Sequence, residues 1–147
     1  MKRSRMHHWM LLSACLLALF VVVSAFSQDS VETNSQAQIE RGRYLVNNVA
    51  KCIECHTPRD EEGRIDRHRL LEGAPIPVSS PFSNRQWAFR APAIAGLPGW
   101  SRREAVYLLM HGRREGGQVP RGPMPQFGMS REDAEAVVSY LLSLHSK

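Results

Sequence analysis

The sequence predicts an all-α protein, a small helical domain with long loops rich in Pro and Gly. Two segments, Ser35-Gln36-Ala37-Gln38 and Ser101-Arg102-Arg103-Glu104, have capping-box form. In a capping box a Ser hydroxyl and the residue three positions on satisfy each other's free backbone amides. Towards the C-terminus, Val137, Tyr140, Leu141 and Leu144 recur at the spacing of one helix face. No alternating strand pattern and no internal repeat stands out. With 147 residues, 43% of them hydrophobic and 22% charged, the composition is that of one globular domain rather than a disordered or collagen-like chain.

The chain begins with Lys2, Arg3 and Arg5, followed by an uncharged stretch from Trp9 to Phe26 whose centre, Leu16 to Val23, is unbroken apolar sequence. A basic start, an apolar middle and small residues at its end are what the secretion machinery reads. Residues 1–27 are therefore expected to be a signal peptide, cut after Ala25 or Ser27. The alternative is an uncleaved anchor, since eighteen uncharged residues reach the lower limit for crossing a bilayer. Leu12-Ser13-Ala14-Cys15 has the form of a lipidation site, but the apolar stretch before it is too short. The formal charge of +5 and the pI near 9.6 owe much to this segment. Setting it aside leaves 16 Lys/Arg against 14 Asp/Glu, so the basicity does not argue for nucleic acid.

Residues 28–34 read as a polar leader, and the first capping box opens a helix expected to run to about Val49. That helix delivers the chain to Cys52-Ile53-Glu54-Cys55-His56, the C-x-x-C-H pattern of covalent c-type haem attachment. Two thiols one helical turn apart can each add across a haem vinyl group, and the following His then faces the iron from the same side. A thioredoxin-like pair would want a βαβ pattern, and a zinc site a further Cys/His pair. A disulfide across so small a loop gains little and leaves His56 unexplained.

Beyond the motif, residues 59–69 are charged and expected at the surface. Pro75, Pro77 and Pro81 break residues 73–90 into loop and extended structure. The second capping box starts a helix that stops at Gly112, and residues 116–128 form a Gly/Pro-rich loop. Ser130 to Ser143 closes the chain as a helix.

An iron held by His56 needs a sixth ligand or an open position. Met110, Met124, Met129, His68, His111 and His145 are the available donors. Met124 is preferred: in Arg121-Gly122-Pro123-Met124-Pro125 flanking prolines fix the backbone that presents the thioether. Met110 and Met129 have packing positions on or beside helices, His68 sits among arginines, His111 ends a helix and His145 lies near the C-terminus.

With these residues in view, residues 36–147 resemble a class I monohaem cytochrome c: a helix before C-x-x-C-H, a Pro-containing loop after it, a Met loop and a C-terminal helix bearing an aromatic. The resemblance implies the class I fold over 35–147, one covalent haem c through Cys52 and Cys55, and axial ligation by His56 and Met124. It implies that the first and last helices cross where Gly42 meets Tyr140, and that the Pro92 carbonyl orients His56. It also implies that Trp87, Arg90 and Trp100 donate to the haem propionates, with plain core packing as the alternative for the two tryptophans. The order of motifs, including Gly42-Arg43-Tyr44-Leu45 and Gly99-Trp100-Ser101, is similar to that of bacterial cytochromes serving periplasmic dehydrogenases.

The function so implied is one-electron transfer by a non-enzymatic carrier in the periplasm, soluble or anchored by residues 9–26. A periplasmic dehydrogenase would be the donor, and a terminal oxidase or another cytochrome the acceptor. Arg102, Arg103, Arg113, Arg114 and Arg121 are either a rim that steers an acidic partner or a solvated helix face. The alternatives are a dedicated cytochrome subunit of a dehydrogenase complex, a haem sensor or peroxidase with a displaceable sixth ligand, and a secreted thiol protein without haem.

Overall fold

The computed structural model describes residues 35–82 and 86–144. The expected signal peptide and leader (1–34) and His145 lie outside the described residues. The chain divides into two compact units, Met1–Ala37 and Gln38–Lys147, and the core and site belong to the second.

The first helix, α1, covers 35–44. Ser35 is itself helical and so does not sit at the cap its capping-box pattern predicts. Instead of continuing as α-helix to Val49, the chain widens into a π-helical turn, Leu45–Val49, closed by the Ala50 amide on the Leu45 carbonyl at 2.8 Å. Lys51 then takes a left-handed conformation, φ 50°, and α2, Cys52–His56, begins. Left-handed backbone is uncommon outside Gly, and here it turns the chain sharply between the two helical segments.

α3, Arg102–His111, starts at the predicted capping box, with the Ser101 hydroxyl accepting from the Glu104 amide and the Glu104 carboxylate accepting from the Ser101 amide. Gly112 ends it at φ 65°, the left-handed cap at which a Cβ is a penalty. α4, Arg131–Ser143, is capped by the Ser130 hydroxyl on the Asp133 amide. Val137, Tyr140 and Leu141 are buried along it. They meet Val106 and Leu109 of α3 and Leu45 and Val46 of the π-turn in one core that also includes Leu71 and Leu97.

α1 and α4 touch at Gly42, where a Cβ would collide with the Ala136 carbonyl and lie 2.8 Å from the Tyr140 Cβ. Glycine is what lets the two backbones approach this closely. The crossing is tied by the Arg41–Asp133 ion pair. Beside it, Arg102 Nη1 donates to Ser139 Oγ, which donates in turn to Gln38 Oε1, both at 3.1 Å.

The extended structure expected over residues 73–90 includes one short strand pair. Ala74–Pro75 (β1) and Arg90–Ala91 (β2) pair antiparallel, with Ala74 opposite Ala91 and Pro75 opposite Arg90. Two residues per strand leave no alternation for a sequence pattern to show. The pairing closes the base of a long hairpin, which the Ile76 amide extends by donating to the Phe89 carbonyl at 2.9 Å. The fold is nonetheless mainly helical.

Candidate cofactor site

A cavity of about 400 Å³ opens between α2, the chain from Ala88 to Leu97, α3 and the loop around Met124. Its floor is the core itself: Leu97, Leu109, Val137 and Leu141 face it. Cys52, Cys55 and His56 stand on one wall, and Met124 is among the residues of the loop that lines it.

His56 is 7% exposed and bracketed by the hairpin base. Its carbonyl accepts from the Gly73 amide at 2.7 Å, and its Nδ1 lies 2.8 Å from the Pro92 carbonyl oxygen. A carbonyl can only accept, so Nδ1 carries the proton and the neutral ring keeps its lone pair on Nε2. Burial pushes the His56 pKa below its ordinary value, against the bond to Pro92, which raises it. Both circumstances hold the imidazole in the form that binds a metal. Burial likewise raises the Cys52 thiol to about 11, with a smaller contribution from Cys55. Among the described residues no group of three or more His, Cys, Asp or Glu is placed to hold a free metal ion.

Of the other candidate donors in the described residues, Met124 alone lines the cavity. Met110 and Met129 pack against the core. His111 is exposed, with its ring 4.3 Å from that of Tyr107, and His68 is exposed. The Met124 amide donates to the Arg121 carbonyl at 3.3 Å, and the intervening Gly122 is docked on residues 87–88.

Arg90, Pro92 and Trp100 line the cavity, and Trp87 does not. The Trp87 indole N–H is donated to the Val78 carbonyl at 2.8 Å, so the expected donation to a propionate is corrected. Arg114, with its guanidinium 4.1 Å from the Trp100 ring centre, and Arg121 also line the cavity. Arg103 pairs with Glu115 at 3.1 Å and Arg102 is held on Ser139.

Thr57, Leu71 and Gly73 escaped the sequence reading, though they carry the frame behind His56. Gly73 sits at φ 84°, where a Cβ would come within 2.7 Å of the Ala93 amide nitrogen. A Gly next to a Pro-rich stretch was the only local signal.

These residues fit haem. The lining is overwhelmingly apolar, two thiols sit one helical turn apart, and a buried imidazole is oriented with Nε2 free. A thioether-bearing Met lines the cavity, and the arginines that line it suit carboxylates. Fold and site together define a helical domain built to hold a covalently attached haem. The family model described as cytochrome c matches residues 39–145, and the chain belongs to the cytochrome c family. Its cofactor is haem c, bound through Cys52 and Cys55.

The chain is similar to the fructose dehydrogenase cytochrome subunit of Gluconobacter japonicus, 31% identical over 118 residues, which cover 73% of this chain and 22% of that protein. It is also similar to the cytochrome c subunit of the quinone alcohol dehydrogenase of Gluconobacter oxydans, 30% identical over 119 residues, covering 75% and 24%. A diheme cytochrome c-type protein of Cereibacter sphaeroides is 49% identical over 47 residues, 32% of this chain and 16% of that one. The chain thus matches about a quarter or less of the length of these relatives.

Proposed function

We propose that the domain is a one-electron carrier whose haem iron is held between His56 and Met124. The observation that carries this reading is the position of Met124, the one candidate sixth donor of the described residues that lines the same cavity as Cys52, Cys55 and His56. When bound, haem c supplies a ferric/ferrous couple. Pro92 fixes the His56 tautomer and makes its Nε2 a stronger donor. The Met124 thioether favours the softer ferrous state and raises the potential. With His56 and Met124 both holding the iron, no place would be left for a substrate, and the apolar lining would keep water out.

The redox partner in this reading is a periplasmic dehydrogenase, with a terminal oxidase or another cytochrome as acceptor. The dehydrogenase cytochrome subunits among the relatives support a dehydrogenase as donor, and a dedicated subunit is equally consistent with them. Docking of a free carrier would be brief and over a small interface. Export to the periplasm is supported by Lys2, Arg3 and Arg5 ahead of the uncharged Trp9–Phe26 stretch. Among the described residues no helix is long and apolar enough to cross a membrane.

The test is the absorption spectrum of protein matured in the periplasm, ferric and ferrous, with and without carbon monoxide. A six-coordinate carrier gives sharp c-type ferrous bands that carbon monoxide leaves unchanged, and Met124→Ala makes them responsive. Ready binding of carbon monoxide by the parent protein would replace this reading with the sensor or peroxidase alternative.

A further inference from the structure

One short run of backbone, Trp87 to Pro92, touches both sides of the cavity. At its C-terminal end the Pro92 carbonyl accepts the hydrogen bond from His56 Nδ1–H. At its N-terminal end the Ala88 amide donates to the Gly122 carbonyl at 2.8 Å, and Trp87 and Gly122 form a parallel bridge. The Trp87 ring lies flush on Gly122: a Cβ there would meet Cε3 and Cζ3 at 2.7 Å. The ring cannot slide away, because its N–H is fixed on the Val78 carbonyl across the hairpin. Between these two anchors Ala88, Arg90, Ala91 and Pro92 line the cavity. The strand is itself held by its pairing to β1, whose neighbour Gly73 bonds to the His56 carbonyl.

We propose that Trp87 is a positioning residue for the sixth ligand. It clamps Gly122 and so fixes Met124, two residues on, at a set distance from the His56 wall. This rests on the reading of Met124 as the axial donor. The chain between the two anchors bends at Phe89 and is strand-paired at Arg90–Ala91. That pairing, together with the Ile76 amide on the Phe89 carbonyl, gives the Met loop a reference that its own Gly and Pro residues do not provide. A thioether bond to iron is weak, so the competent loop position has to be populated before it forms. A clamp that raises that population raises the apparent strength of the bond by the same factor.

The experiment uses the haem-loaded full chain and the variants Trp87→Ala, Trp87→Phe, Gly122→Ala and Met124→Ala. Four readouts are taken: carbon monoxide binding by the ferrous protein, the reduction potential, the weak long-wavelength absorption of a thioether–ferric bond, and hydrogen exchange at the Ala88 and Met124 amides. Trp87→Ala should bind carbon monoxide about tenfold more readily or better, lower the potential and speed exchange at both amides, while the covalent haem stays in place. Trp87→Phe keeps part of the ring but loses the N–H held by Val78, and should fall between the parent and Trp87→Ala. Gly122→Ala, which pushes the ring off from the other side, should behave like Trp87→Ala, and it decides the matter if Trp87→Ala does not fold. Parental carbon monoxide binding and exchange in folded Trp87→Ala or in Gly122→Ala would overturn the clamp. If Met124→Ala leaves the spectrum and potential unchanged, the ligand assignment fails on its own, and exchange at the two amides then reports whether the clamp exists without it.

Discussion

Thr57, one residue beyond the buried histidine, is 1% exposed, and its Oγ1 accepts the Leu71 amide at 3.0 Å. Leu71 is fully buried at φ 61°, and its carbonyl accepts from Ile94 and Ala95 at 2.9 and 3.1 Å. One hydroxyl therefore anchors the backbone node from which the Pro92 loop hangs. Thr57→Val keeps the shape and leaves the Leu71 amide without its partner, at a cost of about 1–3 kcal/mol. Chemical denaturation followed at the haem should show that loss, with the absorption spectrum of the folded protein unchanged. Such a role was invisible in the sequence because its partner lies 14 positions away and no spacing rule joins a Thr to a Leu amide. Cys52, Cys55 and His56 were legible for the opposite reason, since the attachment chemistry demands contiguous spacing. Trp87 was misread: an indole in this chain announced a hydrogen-bond donor but not which carbonyl would take it.

Among the elements, α3 shows local sequence setting where a helix begins and ends. The Glu104 carboxylate accepts from the Ser101 hydroxyl at 2.6 Å and from the Ser101 amide at 2.9 Å, and these bonds, the hydroxyl first, hold its pKa below the ordinary carboxylate range. With the folded value depressed, the stabilisation is complete above the unfolded value, about pH 4.3, and is lost as pH falls through the lower folded value. Glu104→Gln should therefore flatten the acid limb of a stability–pH profile measured by denaturant titration, and leave the neutral region nearly parallel to the parent. The starts of α3 and α4 could be read from Ser101 and Ser130, and the stop of α3 from Gly112. The π-turn after α1 could not. It takes one extra residue per turn, and nothing in Leu45–Val49 distinguishes that from another α-turn. The extra residue changes where Cys52 points, so it belongs to the site even though it left no signal.

At the scale of the whole molecule, the cofactor stands where other small domains place core side chains. Without the haem, the apolar walls lined by Leu97, Leu109, Val137 and Leu141 would face water, so burying them against the cofactor is part of what holds the fold. The double variant Cys52→Ser, Cys55→Ser, which cannot form thioethers, should lose cooperative unfolding and near-ultraviolet circular dichroism while keeping part of its helical signal. A sharp parental transition in that variant would show that α1, α3 and α4 suffice as a core. The helical fold class was readable because capping and apolar spacing act over a few residues. The cavity's far wall was not, since it is assembled from Ala88 to Leu97 and the Met124 loop, which meet only in three dimensions.

The β1–β2 pairing has an evolutionary consequence. The hairpin is closed twice near its base, by the ladder at residues 74–76 and 89–91 and by the indole of Trp87 on Val78. Whatever lies between Val78 and Trp87 is attached outside both closures. Loop length enters closure entropy only logarithmically, so residues can be gained or lost in that tip with little effect on the His56–Met124 spacing. The tip can take up new sequence, and new contacts, while the redox centre stays as it is.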